Sequence, residues 1–332
     1  MNKLLVVIAA FALAGCAGGG PGTASAPAAV AAPPAAAASS LGDFPDPFVL
    51  ADGATYYAYA TNSGNRHVQV ARSTDLRQFT PLPDAMPSLA PWVRASAPDV
   101  WAPEVIKVGA QYLLYYTARD AASGRQCIGV AAAAAPAGPF VDTSAAPFLC
   151  QLAEGGTIDA SPYAEDGKLY LYFKNDGNCC AMKTHIYVQE LRADGLALAG
   201  SPVRLLSNER PWEGNVIEAP GMFRQDGRYL LFYSANDYSG SAYATGYAEC
   251  AGPLGPCKPR AEGPFLMSRT GNAALMGPGH QHVFKAGDQT LIAYHAWELL
   301  ADGKRGQRRF MYLDKLTWRD GVPVVGGPTM VP

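Results

Sequence analysis

The heptapeptide Gly167-Lys-Leu-Tyr170-Leu-Tyr-Phe173 is a turn glycine followed by an apolar, aromatic run, and the chain repeats this arrangement four more times. The other copies are Gly53-Ala-Thr-Tyr56-Tyr57-Ala-Tyr59, Gly109-Ala-Gln-Tyr112-Leu-Leu-Tyr115, Gly227-Arg-Tyr229-Leu-Leu-Phe-Tyr233 and Gly287-Asp-Gln-Thr-Leu291-Ile-Ala-Tyr294. Successive glycines lie 56, 58, 60 and 60 residues apart. Short aromatic runs led by turn signals such as Asp52-Gly53, Asp166-Gly167 and Asp226-Gly227 read as hairpin strands. A segment ahead of each turn and a third strand after it, as in Val68–Ser73 and Tyr243–Ala248, complete a small antiparallel sheet per repeat. Strand-built repeats of this period, with no helical periodicity between them, predict an all-β, five-bladed β-propeller of four-stranded blades spanning residues 41–332.

Composition narrows the function. With 35 Gly and 27 Pro among 332 residues a helical bundle is excluded, and 49% apolar residues exclude global disorder. A net charge of −2 with 16% charged residues leaves no basic footprint for nucleic acid. Residues 1–15 carry one charge, Lys3, and the apolar run Leu4–Ala14, too short to span a bilayer, and read as an export signal. Leu13-Ala14-Gly15-Cys16 resembles a bacterial lipobox, which implies cleavage before Cys16, lipidation of that cysteine and membrane attachment. Ala17 after it points to the outer membrane, facing the periplasm or the cell surface. Residues 16–40, rich in Ala, Pro, Gly and Ser, read as a linker. Six further cysteines in an exported chain predict disulfides: Cys250 with Cys257 across a short loop, and Cys179 and Cys180 either with each other or with Cys127 and Cys150.

The innermost strand of each blade faces the central channel, so the residues ahead of each glycine matter most. Asp46, Asp159, Glu218 and His280 lie 7, 8, 9 and 7 residues before their glycines. Comparable offsets bring three carboxylates and one imidazole to a common axis. Clustered carboxylates raise one another's pKa, and a pair of them suits glycosidic hydrolysis, one as acid and one as base. The same oxygens also suit a calcium site, although Ca²⁺ takes six to eight oxygen ligands and His280 is a poor one.

Phe-Pro-Asp46-Pro, Ile-Asp159-Ala-Ser-Pro, Ile-Glu218-Ala-Pro-Gly-Met and Gly-Pro-Gly-His280, in that order and one per blade, resemble the five-bladed glycoside hydrolases of family 43. Trp-Ala-Pro-Glu in the second blade and the closing Tyr-Leu-Asp-Lys-Leu-Thr-Trp318-Arg-Asp-Gly321 fit the same family. The resemblance implies Asp46 as general base, Glu218 as general acid, Asp159 as the residue that raises and orients that acid, and inversion at the anomeric centre. It further implies a metal ion, often Ca²⁺, at His280, for which a hydrogen-bonded channel histidine is the equal alternative, and a substrate-contacting arginine, Arg308 or Arg309. Phe44 and Trp101 are candidates for stacking on a sugar face, and Asn236 and His295 for lining the pocket. The expected substrate is a plant cell-wall saccharide, arabinan or arabinoxylan, losing terminal α-L-arabinofuranosyl units. β-Xylosidase and endo-1,5-α-L-arabinanase activity are alternatives on the same fold, and a non-catalytic carbohydrate-binding propeller is the alternative outside enzymes.

Overall fold

The computed structural model describes residues 40–259, 263–268 and 275–327; the export signal, Cys16 and the linker fall outside them. Five antiparallel sheets follow one another along the chain as five propeller blades. Blade I holds β1 (Phe48–Asp52), β2 (Thr55–Ala60), β3 (Gln69–Ser73) and β4 (Thr80–Pro81), and blade II holds β5 (Trp101–Val108), β6 (Gln111–Arg119) and β7 (Gln126–Ala133). Blade III comprises β8 (Thr157–Glu165), β9 (Lys168–Asn175), β10 (His185–Leu191) and β11 (Leu198–Ser207). Blade IV comprises β12 (Ile217–Gln225), β13 (Arg228–Ala235), β14 (Ala244–Cys250) and β15 (Cys257–Pro259). Blade V closes the set with β16 (Met276–Ala286), β17 (Gln289–Leu299), β18 (Arg305–Arg319) and β19 (Val322–Val325). The expectation of four strands per blade fails in blade II, where an isolated bridge between Ala132 and Val141 stands in for an outer strand.

The repeated glycines make the inner hairpins in two ways. In blades III and IV the pairs Glu165↔Lys168 and Gln225↔Arg228 leave Asp166-Gly167 and Asp226-Gly227 as two-residue turns, all four with positive φ, as a type I′ turn requires. In blades I, II and V the glycine is instead the first turn residue, so Asp52 belongs to its strand rather than to the turn.

Five apolar clusters fill the spaces between neighbouring blades. The cluster joining Val49, Ala58 and Ala71 of blade I to Leu291, Ala293, Met311 and Leu313 of blade V closes the ring. Phe44 is 2% exposed within this cluster, and its N–H donates to the Arg309 carbonyl at 2.8 Å. It is therefore a core residue that latches the first blade to the last, and the expectation that it stacks on sugar is corrected.

Three disulfides form: Cys127–Cys150, Cys179–Cys180 and Cys250–Cys257. Cys127–Cys150 closes a 23-residue separation, which on the chain-entropy account is worth about 3 kcal/mol. Cys127→Ala with Cys150→Ala is expected to lower unfolding stability by that amount, read as a shift of the urea midpoint at unchanged slope.

Candidate active site

The innermost strands of blades II to V open on a bulge, and there or, in blade I, just ahead of the strand, one residue per blade has positive φ: Asp46, Ala102, Asp159, Ala219 and His280, at 56°, 45°, 56°, 51° and 50°. Non-glycine residues adopt this region at a cost, so the conformation must be held by its surroundings. The holding device is visible. The N–H of Ala102 donates to Thr61 Oγ1 at 2.9 Å, that of Asp159 to Thr117 Oγ1 at 3.3 Å, that of His280 to Ser234 Oγ at 2.8 Å, and that of Asp46 to His295 Nδ1 at 3.1 Å. In each case a side chain from the second strand of one blade, or just past its end, clips the positive-φ residue of the next. The exception is blade IV, where the Ala219 N–H donates to Asp159 Oδ2 at 2.9 Å. There the second strand of blade III offers Lys174, whose Nζ lies 3.6 Å from Glu218 Oε2.

The bulges turn their side chains into one cavity of about 350 Å³, lined by Asp46, Thr61, Trp101, Asp159, Asp176, Glu218, His280 and Arg309 among others. The three predicted carboxylates, Trp101 and His280 thus meet in one place. A second cavity of about 690 Å³ adjoins it, sharing Asn178, Glu218 and Tyr238, and Asn236 lines this one rather than the first. Arg309 and Arg308 separate by side. Arg309 Nη1 donates to Asp46 Oδ1 at 3.0 Å, whereas Arg308 is half-exposed and pairs with Glu298. Arg308 is therefore corrected from pocket residue to surface ion pair, because neighbours along a strand face opposite sides.

The surroundings of two carboxyl groups that line this cavity, Asp46 and Glu218, shift their pKa values in opposite directions. Burial pushes Asp46 up, but Arg309, His280 and His295 outweigh it and hold its carboxyl well below the ordinary aspartate range. His280 Nδ1 and His295 Nδ1 lie 3.3 and 3.2 Å from Asp46 Oδ1, and Thr61 Oγ1 donates to Asp46 Oδ2. Glu218 is raised above the ordinary range, chiefly by burial, with Lys174 opposing and the negative Asp159 adding to the rise. The Tyr243 hydroxyl donates to Glu218 Oε1 at 2.7 Å, and its ring stacks on His295. Such a divergence between paired carboxyl groups separates a base from an acid.

The profile of glycosyl hydrolases family 43 matches residues 40–323. The chain belongs to that family. As a family 43 protein it is 24% identical over 293 residues to the extracellular endo-α-(1→5)-L-arabinanase 1 of Bacillus subtilis, covering 84% of this chain and 86% of that one. It is 28% identical over 252 residues to the extracellular exo-α-(1→5)-L-arabinofuranosidase of Streptomyces chartreusis, covering 73% and 76%. The crystal structure of a thermostable family 43 glycoside hydrolase superposes with a TM-score of 0.77 at 31% identity, over 90% of this chain and 97% of that one.

Several residues of this family 43 site carry no motif in the sequence. Lys174 and Tyr243 touch Glu218, and Tyr238 stands between the two cavities with the Arg309 guanidinium 5.2 Å from its ring centre. Burial raises Asp176 to about 6, with Lys174 opposing and Asp159 and Glu218 adding. Burial likewise raises Glu104 to about 8, a hydrogen bond with Ser161 opposing and Asp159 adding. A signal for Lys174 does exist. It sits seven residues after the turn glycine, the register that holds Ser234 in blade IV and, one residue on, Thr61, Thr117 and His295.

The donor set at His280 does not suit an ion held by protein side chains. Its Nδ1 faces Asp46 Oδ1, and among the described residues no group of three or more His, Cys, Asp or Glu is placed to share a cation.

Proposed function

We propose that this family 43 glycoside hydrolase releases terminal α-L-arabinofuranosyl units from arabinan or arabinoxylan-derived saccharides with inversion, Asp46 serving as general base and Glu218 as general acid. The observation that carries the reading is that these two carboxyl groups line one cavity whose surroundings shift their pKa values in opposite directions. Asp46, kept ionised chiefly by the Arg309 guanidinium, accepts a proton from water as that water attacks the anomeric carbon. Glu218, whose pKa burial and Asp159 raise, gives its proton to the departing oxygen. The proton on Asp46 then passes to solvent and Glu218 is reprotonated, which restores the site. Lys174 and Tyr243 stabilise the Glu218 carboxylate that exists between these events, so the acid is not so weak that it withholds its proton. Asp159 acts through Glu218, by its charge and by fixing the Ala219 N–H that sets the bulge.

Glu218 borders both cavities, so a sugar whose anomeric carbon lies between Asp46 and Glu218 has its leaving group in the larger one. That room supports a saccharide leaving group. It also favours a second reading, endo cleavage, in line with the arabinanase of B. subtilis. The extracellular relatives support export, and the lipobox-like Leu13–Cys16 supports attachment through a lipid.

The test incubates the protein with linear arabinan, arabinoxylan and xylo-oligosaccharides and follows early products by proton NMR. Arabinose released in the inverted anomeric configuration is the expected result. Oligosaccharides as first products establish the endo reading, released xylose overturns the arabinose assignment, and retained configuration overturns the mechanism.

A further inference from the structure

The bond between Cys179 and Cys180 links neighbours, whereas the other two disulfides span 23 and 7 residues. Disulfides stabilise by closing loops in the unfolded chain, and a bond between adjacent residues closes none. Its value must be local. The bond lies in the 3-10 turn Gly177–Cys180 and ends where Ala181 takes a positive φ of 54°. Cys179 and Asn178 line the cavity that holds Asp46, Asp159 and Glu218. Gly155 packs beneath the ring so closely that a Cβ there would lie 2.5 Å from the Asp176 carbonyl oxygen and 3.2 Å from Cys179 Sγ. The Arg125 guanidinium, from the loop before β7, lies against both sulfurs. Two sides of the ring are thus clamped, and Cys179 remains exposed on the side of the pocket.

We infer that the Cys179–Cys180 ring is a specificity-determining wall of the sugar pocket, a rigid apolar surface on which the C–H face of the bound sugar packs. The inference rests on the glycosidase reading of that pocket. Sulfur is polarisable and makes good van der Waals contact, and it forms only weak hydrogen bonds, so covering it with a sugar face forfeits little hydration. Two free thiols on flexible side chains present the same atoms without the fixed shape, and the ordering they then require on binding weakens affinity. The same turn sets Asn178, whose Oδ1 accepts from Lys174 Nζ at 2.5 Å.

The test compares wild type, Cys179→Ser with Cys180→Ser, and wild type reduced with dithiothreitol under native conditions. In the reduction one disulfide takes two hydrogens from the dithiol, giving two cysteine thiols and cyclic oxidised dithiothreitol. Alkylation and mass spectrometry identify the bond opened. The double variant and the reduced protein are expected to show KM about tenfold higher on arabino-oligosaccharides, with kcat within about twofold and Tm within about 2 °C. Reoxidation restores KM. Unchanged KM overturns the inference, and so does a fall in Tm comparable to that from removing Cys127–Cys150. If the serine variant does not fold, the reversible reduction of wild type decides alone. Binding of arabinotriose is read in parallel by tryptophan fluorescence. A wild type that binds without turnover overturns the catalytic reading while the ratio of Kd values still judges the wall, and one that does neither overturns both.

Discussion

Glu218→Gln is expected to slow hydrolysis of arabino-oligosaccharides by about 10³-fold while leaving a dinitrophenyl arabinofuranoside within about tenfold of wild type, because positioned acid catalysis contributes about 10²–10⁴ and a good leaving group needs no proton. Glutamine keeps the shape and still accepts from the Tyr243 hydroxyl, so the loss is that of a proton and not of a fold. The pH profile carries the same logic. Activity requires Asp46 ionised and Glu218 protonated, so kcat/KM falls on the acid side through the depressed Asp46 and on the alkaline side through the raised Glu218. Burial dominates the Glu218 rise and Lys174 opposes it. Lys174→Met removes the opposing charge, raises Glu218 further and moves the alkaline limb to higher pH. The rate profile of the two variants on both substrates checks this; equal loss on the natural and the activated substrate sinks Glu218 as the acid, and an unmoved alkaline limb in Lys174→Met separates that limb from Glu218.

What the sequence discloses and what it hides follow from where a side chain's partners sit. Asp46, Asp159 and His280 are legible because they occupy one repeated register at the head of the innermost strands, and the structure gives all three the same positive φ. Glu218 is one residue off that register, with Ala219 in its place, just as Trp101 precedes Ala102 in blade II. The carboxylate of blade IV thus enters from the position that Trp101 fills in blade II. The rest depends on contacts between residues far apart along the chain. Tyr243, just ahead of the third strand of blade IV, is an unremarkable aromatic in the sequence, and only the folded sheet brings its hydroxyl to Glu218, two strands away. Arg308 and Arg309 are chemically equal in sequence, and strand pairing selects Arg309 by placing it opposite Trp297, beside Tyr238. Phe44 misleads for the same reason. It is two residues from Asp46, but the closure of blade V on blade I takes it into the core.

Asp46→Asn is expected to remove activity on natural and activated substrates alike, by about 10⁴-fold, since no leaving group relieves the need for a base that receives the proton of water. The side chain's surroundings explain why no neighbour substitutes. Arg309, His280 and His295 all lie close to Asp46 Oδ1, and burial lowers the pKa of His295 to about 4, which keeps it neutral. The Asp46 N–H donates to the Nδ1 of this imidazole, which fixes the positive-φ backbone of Asp46. Stability should respond in a distinct way. Asp46 is depressed in the folded protein, so its contribution is present above the ordinary aspartate pKa and is lost as pH falls through the folded value. Asn cannot titrate, so the variant is less stable than wild type near neutral pH, and the gap closes toward strongly acidic pH. Urea unfolding at a series of pH values measures the gap, and steady-state rates on both substrates measure the base. An Asp46→Asn protein that is folded by circular dichroism yet retains near wild-type rates assigns the base elsewhere; a gap that is constant with pH shows that the Arg309 and histidine cluster does not hold Asp46 ionised.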